Sequence, residues 1–434
     1  MSSSRRALWR ISVACGLALT VNQTRGASES DAFQPDPALL SDVLGLSGSV
    51  RASEFSKGKT FSDQTGYAVG SVWVTATPHE FWGIRTYFDA RAQDQDLGRG
   101  GSTVSWELRE GYAQTTFGKL DVRVGRQIIV WGRADKVNPT DSWSTRDFAL
   151  LAPNDDDQRL GVTTLEATWN AGSYRIISLW QPEWRFPVLP IPPQAPGVAL
   201  LNLAPRDPAQ QWGIKLDHSG DGTDWSVSLA RSLDRTPDLA VLSEGRQGLS
   251  LGLVYRPISV MGADAAVPIG KFGLHAEVAY TRTENPDGTD PLTQRRNVFA
   301  VLGVERTFEG VLNINAQYVY RRTFDFASPS MIANPDTRLR AEQVDLLSNQ
   351  LAADMQGASL RINYKAWNET LETEVAAAAW FKRGDSAIRP KVTYAFSDHF
   401  KGLIGGELYH GPRQSFFGQL NPTSTAYAEL QIGF

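Results

Sequence analysis

The chain has 434 residues, 43 lysines and arginines against 47 aspartates and glutamates, and a formal net charge of −4. That acidic balance argues against nucleic acid as a partner, since such partners call for basic stripes. Length and a 41% hydrophobic content suit one to three domains, so the class must come from pattern rather than composition.

At the N-terminus, Arg5, Arg6 and Arg10 precede an apolar run over residues 11–21, and Gly26 and Ala27 follow at a cleavage position. This is the pattern of a secretory signal peptide. The run is about half the roughly 20 residues that a membrane-spanning helix needs, so no retained anchor is expected. Cys15, the one cysteine, lies inside it. A lipobox at Val13, Ala14 and Cys15 is the competing reading, but the apolar run continues through Leu17 and Leu19. Residues 1–27 therefore read as a signal peptide, 28–44 as a short periplasmic extension and 45–434 as a barrel. Loss of residues 1–27 removes Arg5, Arg6, Arg10 and Arg25 and no acid, which takes the charge from −4 to −8 and leaves no cysteine for a disulfide.

From Leu46 onward the dominant period is two, the signature of strands. In residues 81–92, Trp82, Ile84, Thr86, Phe88 and Ala90 fall on one face and Gly83, Arg85, Tyr87, Asp89 and Arg91 on the other. One face suits lipid and the other water. Similar alternation recurs in 212–216, 225–229, 249–255, 272–280, 312–320, 360–364 and 371–381. No later segment holds 18 uninterrupted apolar residues, which excludes a helical membrane protein and leaves a membrane barrel, whose strands show lipid only every second side chain.

Short turns near residues 78, 118, 171, 221, 309, 368 and 397 interleave with longer loops centred near Lys59, Gln95, Pro139, Pro193, Asp238, Pro286, Leu346 and Gln414. The predicted fold class is all-β, a closed antiparallel up-and-down transmembrane β-barrel of about 18 strands. Sixteen is the alternative, should the 257–270 connection or the hairpin at Arg383, Gly384 and Asp385 be otherwise. Trp73, Trp82, Trp106, Trp131, Trp169, Trp180, Trp212, Trp225 and Trp380 lie near strand ends and fit interfacial girdles.

Two loops stand apart. Residues 182–208 are rich in proline and carry Trp184, Phe186, Leu189, Ile191, Val198, Leu200 and Leu203, too apolar for a free loop. The expectation is that they pack into the barrel mouth; the alternative is a greasy surface for a ligand. In 335–356, Val344, Leu347, Leu351 and Met355 recur at helical spacing, with Asn334 as cap, Pro335 in the first turn and Gly357 at the end. This predicts a helix on the mouth.

The final strand, 424–434, puts Ala428, Leu430, Ile432 and Phe434 on one face and Glu429, Gln431 and Gly433 on the other. Here the chain resembles Gram-negative outer-membrane barrels, whose last strand ends in phenylalanine and serves as the assembly signal. The resemblance implies an outer-membrane location, lipid and the barrel-assembly machinery as partners, and Leu430, Ile432 and Phe434 as that signal.

The organising stretch is 104–159. With a periplasmic N-terminus, the strand over 120–131 is the fifth and runs outward, so 132–158 is the third extracellular loop. The Gly125, Arg126, Gln127 strand and the strings Asn138-Pro139-Thr140-Asp141 and Asp157-Gln158-Arg159-Leu160-Gly161 are similar to those of alginate-export-like and other outer-membrane barrels without assigned cargo. In general porins the third loop folds inward as a constriction, and the resemblance implies that role here.

The residues supply chemistry for such a role. Arg85, Arg91, Arg109 and Arg123 share the watery face, and the loop carries Asp141, Asp147, Asp155, Asp156 and Asp157 with Arg146 and Arg159. Opposed charges across a narrow gap make a transverse field that orients polar solutes. The competing reading is that Arg85, Asp89, Glu107 and Arg123 pair across strands. Arg126 has the opposite parity to Arg123 and faces the exterior unless a bulge at Gly125 intervenes. Three adjacent aspartates are also a hard-cation ligand type, but in an exposed loop such acids are ordinarily solvated, so no metal is expected. His275 and Glu277 are the one histidine–carboxylate pair on one face, and no serine nucleophile, zinc spacing or phosphate loop accompanies them, so neither catalytic residues nor a cofactor is expected. The reading is an outer-membrane channel passing or exporting polar small-molecule solutes through a loop constriction. The alternative is an uptake barrel for hydrophobic small molecules with a largely plugged lumen.

Overall fold

The computed structural model describes residues 42–434 apart from 60–65, 96, 98–103, 136, 192–193, 195, 221 and 246–247; the expected signal segment and most of the 28–44 extension lie outside the described residues. In chain order the strands are β1 (Leu46–Phe55), β2 (Tyr67–Ala76), β3 (Ile84–Asp94), β4 (Val104–Phe117), β5 (Leu120–Gln127), β6 (Thr145–Arg146), β7 (Arg159–Leu160), β8 (Val162–Ala171), β9 (Tyr174–Gln181), β10 (Val198–Leu203), β11 (Gln211–His218) and β12 (Asp224–Leu233). They continue as β13 (Asp238–Gly245), β14 (Gly248–Val254), β15 (Pro257–Ile269), β16 (Phe272–Arg282), β17 (Asn297–Phe308), β18 (Leu312–Thr323), β19 (Asp354–Ala366), β20 (Leu371–Trp380), β21 (Asp385–Ala395), β22 (Phe400–His410) and β23 (Thr425–Gly433).

Eighteen of these form one antiparallel wall, leaving out β6, β7, β10, β13 and β14. β1 pairs with β2 on one side and with β23 on the other, which closes the sheet and leaves no free edge. Closure lets wall strands satisfy their backbone groups within the sheet, the condition for crossing lipid with strands. Among the described residues no helix is long and apolar enough to cross a membrane. The count of 18 settles the alternative of 16.

Alternation sorts the side chains as the period of two requires. On β3, Ile84 and Phe88 point outward and are exposed, while Asp89, Arg91 and Gln93 are buried inside. Val124, Leu165, Ile214, Leu229, Leu302 and Ile404 continue the apolar outer face. Trp82, Trp106, Trp169, Trp180 and Trp212 are exposed on it, as girdles demand. Trp73, Trp131 and Trp380 are not: each is buried, at 5–7% exposure. They belong to a lumen that is packed rather than empty.

Two strand assignments change. Residues 249–255, read as wall, belong largely to β14, which joins β10 and β13 in a separate three-stranded sheet at the long-loop end. Residues 257–270, read as a connection, contain the wall strand β15, paired to β12 and β16. The fifth strand stops at Gln127 rather than Trp131.

The apolar loop 182–208 packs as expected. Trp184, Phe186, Ile191 and Leu200 lie against Leu239, Leu253, Tyr255 and Val344, tying three long loops together. Val344 comes from the helix α1 (Pro335–Leu347), where Asn334 Oδ1 accepts from the backbone N of Asp336 and Thr337 at 2.9 and 3.0 Å. The helix is shorter than expected. It ends at Leu347 with Ser348 as its C-cap, Asn349 turns into the left-handed region, and Met355 belongs to β19.

Candidate functional site

After β5 the chain leaves the wall and runs inside the barrel over residues 128–161 before re-entering it at β8. Its first half lies on the wall from β9 to β16. Ile129, Trp131 and Trp143 bury themselves against Leu179, Ala230, Ile258 and Val260, with the two indoles edge to face at 5.4 Å. Each such buried large side chain contributes roughly 1.5–3 kcal/mol. The wall makes room with small residues: a Cβ at Gly213 would come within 2.5 Å of the Trp143 ring, and one at Gly262 within 2.6 Å of the Thr140 methyl.

Polar bonds fix this half. Glu277 on β16 accepts the backbone N–H of Arg133, Ala134 and Thr140 at 3.0, 3.0 and 2.7 Å and the Thr140 hydroxyl at 2.8 Å. The Arg133 guanidinium donates to Asp264 on β15 and to Asp217 on β11, both at 2.6 Å. Further on, Asp135 pairs with Arg361 of β19 at 2.8 Å. His275 and Glu277 share a face but serve separate partners, since His275 meets Gln317 at 2.9 Å.

The second half crosses to the opposite wall. Leu151 packs with Phe55, Val69 and Tyr427, and its carbonyl accepts from Gln93 at 3.3 Å. Residues Asp155–Gln158 form a tight 3-10 turn whose acids enter a ring of arginines. Arg51 grips the Asp157 carboxylate at 2.8 Å, Arg91 its carbonyl at 2.9 Å, Arg109 the Asp156 carbonyl at 2.9 Å, and Arg389 the Asp155 carboxylate at 2.5 Å. Behind them stands Trp73, with the guanidinium carbons of Arg51, Arg109 and Arg91 at 4.4, 5.1 and 5.4 Å from the ring centre.

The eleven expected site residues thus divide. Arg91, Arg109, Asp141, Arg146, Asp147, Asp155, Asp156, Asp157 and Arg159 join one network, completed by Arg91–Asp147 at 3.8 Å, Arg159–Asp141 at 3.3 Å, Arg159–Asp156 at 3.1 Å and Arg146 on the Asp155 carbonyl at 3.4 Å. Burial pushes the Asp147 carboxyl up, offset by Arg91, and pushes the Arg146 guanidinium down, with Arg159 adding to the effect. Arg85 and Arg123 face inward nearer the short-turn end and do not join; Arg123 bonds Gln114 at 2.9 Å and stacks on Tyr112. Wall arginines and loop acids are therefore in contact rather than opposed across a gap, because unpaired charges in a narrow lumen cost more than paired ones. Cross-strand pairing is represented by Arg109 with Asp89 at 2.6 Å, while Glu107 is held by Arg185 instead.

Arg126 takes the outward parity, and its guanidinium reaches the Leu108 carbonyl at 3.3 Å, beside where β5 leaves the wall. Sequence reasoning missed Arg51, Trp73, Asp264 and Arg389 as loop partners. Their inward parity was readable, but nothing local says that residues up to 234 positions apart meet.

No protein-family model and no curated protein sequence matches the chain. Solved structures do. Pseudomonas aeruginosa OpdK, determined with vanillate, is similar with a TM-score of 0.53 at 8% identity, over 90% of this chain and 97% of that one. Pseudomonas aeruginosa OccK11 (OpdR) follows at a TM-score of 0.51 and 7% identity, over 90% and 95%. A mutant Rhodopseudomonas blastica porin superposes at a TM-score of 0.40 and 14% identity, over 90% and 99%. The likeness to the two Pseudomonas aeruginosa structures establishes a shared barrel fold.

Proposed function

We propose that this chain is an outer-membrane channel through which polar solutes pass, with residues 128–161 as its constriction. The carrying observation is that this loop is bonded to inward-facing side chains on opposite walls, Glu277 and Asp264 on one side and Arg51 and Arg389 on the other. A segment so placed lies across any route along the barrel axis. The apolar outer belt and tryptophan girdles favour lipid around the wall, and the short-turn end then faces the periplasm. The similarity of 125–127 to alginate-export-like barrels is compatible with outward transport and leaves the cargo open. The reading as an uptake barrel for hydrophobic molecules has less support, because the apolar loop that would receive them is spent on packing against two other loops.

Planar-bilayer recording of the purified full-length chain tests the proposal. Steady ohmic steps are the expected result. Electrical silence together with retained binding of apolar ligands would overturn it in favour of the uptake barrel.

A further inference from the structure

The two anchors of the inner loop differ in kind. At one, a loop guanidinium enters a wall of acids; at the other, loop acids enter a wall of guanidiniums. We propose that the second is a binding site for compact polycarboxylates, which the Asp155–Asp157 turn occupies as an internal stand-in. The proposal rests on the reading of residues 128–161 as the element that closes the passage.

Four arginines from β1, β3, β4 and β21 converge on three consecutive residues. Bonds that do not involve the loop help to hold them. Arg51 Nε donates to Ser49 at 3.0 Å, Arg109 to Asp89 at 2.6 Å and Arg389 to the Tyr409 hydroxyl at 3.2 Å, while Arg51, Arg91 and Arg109 gather round Trp73. The cradle is thus largely preorganised, and preorganisation lowers the cost of binding.

Charge and spacing select the ligand. With the turn displaced, four guanidiniums face three acids, Asp89, Asp147 beside Arg91 and Glu429 near Arg51, while the neighbouring Glu407 is paired with Lys59 at 3.2 Å, so the cradle keeps an excess of positive charge. Arg51 and Arg389 hold separate carboxylates two residues apart. A monocarboxylate replaces one of those grips, whereas a di- or tricarboxylate replaces both without leaving a buried charge unpaired.

Access also distinguishes the two anchors. The side chains of Asp217 and Asp264 around Arg133 are 2% exposed, but Asp155 and Arg389 are 21% and 34% exposed. Beneath the Arg51 and Arg109 side of the cradle a cavity of about 410 Å³ is lined by Arg51, Trp73, Asp89, Arg109 and Asp157 and runs to Gln431 and Phe434 at the short-turn end. A ligand can therefore approach from the periplasmic side while the turn is still seated.

Calorimetric titration of the detergent-solubilised full-length barrel with citrate, acetate and inorganic phosphate tests this. Citrate binding to the wild type is expected. It should strengthen by at least about tenfold in the Asp155→Asn, Asp157→Asn double variant, which lacks the internal competitor, and weaken by at least about tenfold in Arg51→Gln. Arg389→Gln replaces Arg51→Gln if the latter does not reach the heat-resistant form on gels. In bilayers, citrate should alter the current only from the short-turn side. A double variant that binds citrate no more tightly than the wild type overturns the stand-in, and acetate or phosphate binding as tightly as citrate overturns the ligand class. Binding without conduction sinks the channel and keeps the site; conduction without citrate binding does the reverse.

Discussion

Glu277 holds Thr140 twice, its Oε1 accepting from the backbone N at 2.7 Å and from the hydroxyl at 2.8 Å. The same carboxylate takes the N–H groups of Arg133 and Ala134 on its other oxygen, so one side chain on β16 satisfies four loop donors. Glu277→Ala strips all four. Hydrogen bonds to a charged group contribute about 1.5–3 kcal/mol each where water is excluded, and water in the lumen recovers part of that. Even a net loss of about 1–2 kcal/mol shifts the ratio of seated to released loop by roughly 5- to 30-fold. Single-channel records of the variant should show a larger and noisier conductance, with the barrel still heat-resistant on gels. A quiet, wild-type trace would show that Glu277 does not hold the loop.

Gly213 offers an independent way to lift the same segment. Its missing side chain is the space that the rings of Trp143 and Trp131 fill, at 2.5 and 2.8 Å from where a Cβ would stand. Gly213→Val puts branched carbons there, and overpacking of this sort typically costs about 1–3 kcal/mol. The wall strand cannot yield without breaking its ladder to β9 and β12, so the loop moves instead. Proteolysis within 137–153 should become faster than in the wild type, and Trp143→Ala should reverse the Gly213→Val effect only in part, because it removes contacts of its own.

Deletion of 137–153 removes Trp143, Leu150 and Leu151 together with Thr140, and with them most of the apolar surface that the loop buries. Expected is a rise in single-channel conductance larger than that of either point variant, because the segment no longer crosses the lumen. An unchanged conductance would sink the constriction. The deletion costs Arg91 its pairing with Asp147 but leaves Asp155–Asp157 in the chain, so Arg51, Arg91, Arg109 and Arg389 keep their bonds to the turn and the barrel should assemble.

The wall was legible because lipid and water on its two sides impose a period of two, and it was misread where the lumen is not watery. β15 carries Ile258 and Val260 on its inner face against the loop tryptophans and Met261 on its outer face, so apolar residues occur on both and the alternation vanishes. β14 alternates convincingly yet packs in the loop sheet, where one side faces Tyr255 and Val344. Trp73, Trp131 and Trp380 looked like girdle residues for the same reason: a filled lumen has a core of its own. In the site, the acids and arginines were visible by type and parity, but their pairing is set by a loop path that no local rule encodes. The helix was legible from its Asn334 cap. Its end was not, because the spacing of Leu351 and Met355 continues by chance into β19.

Acidity should act on the long loops. Asp238 joins Arg256 at 3.0 Å and accepts the Gln294 backbone N at 2.9 Å, while Asp345 of α1 pairs with Arg295 at 2.8 Å. Burial raises these carboxyls, to about 7 for Asp238 and about 6 for Asp345, with Asp234 also at about 6. An acid whose folded pKa is raised adds stability that is fully present below its unfolded value near 4 and is lost as pH rises through the folded value. The loop assembly should therefore resist proteolysis better at pH 5 than at pH 8, with the change falling between about pH 4 and 7. Asp238→Asn should flatten that difference. A resistance that increases with pH would contradict the assignment.

Phe434 stands at the seam of the wall. Its backbone exchanges both hydrogen bonds with Gly48, N to O at 3.1 Å and O from N at 2.9 Å, at the seam where the last strand meets the first. Its ring points outward with Leu430 and Ile432, all three substantially exposed. Removal of Phe434 deletes two seam bonds and the aromatic that the assembly-signal reading makes the recognition element. The bonds alone are worth about 1–3 kcal/mol, too little to unfold a sheet of 18 strands once it is closed. A large fall in the heat-resistant fraction on gels during assembly in cells, with normal melting of the barrels that do form, would therefore locate the defect in assembly rather than stability. Equal yields with and without the residue would remove the assembly-signal reading.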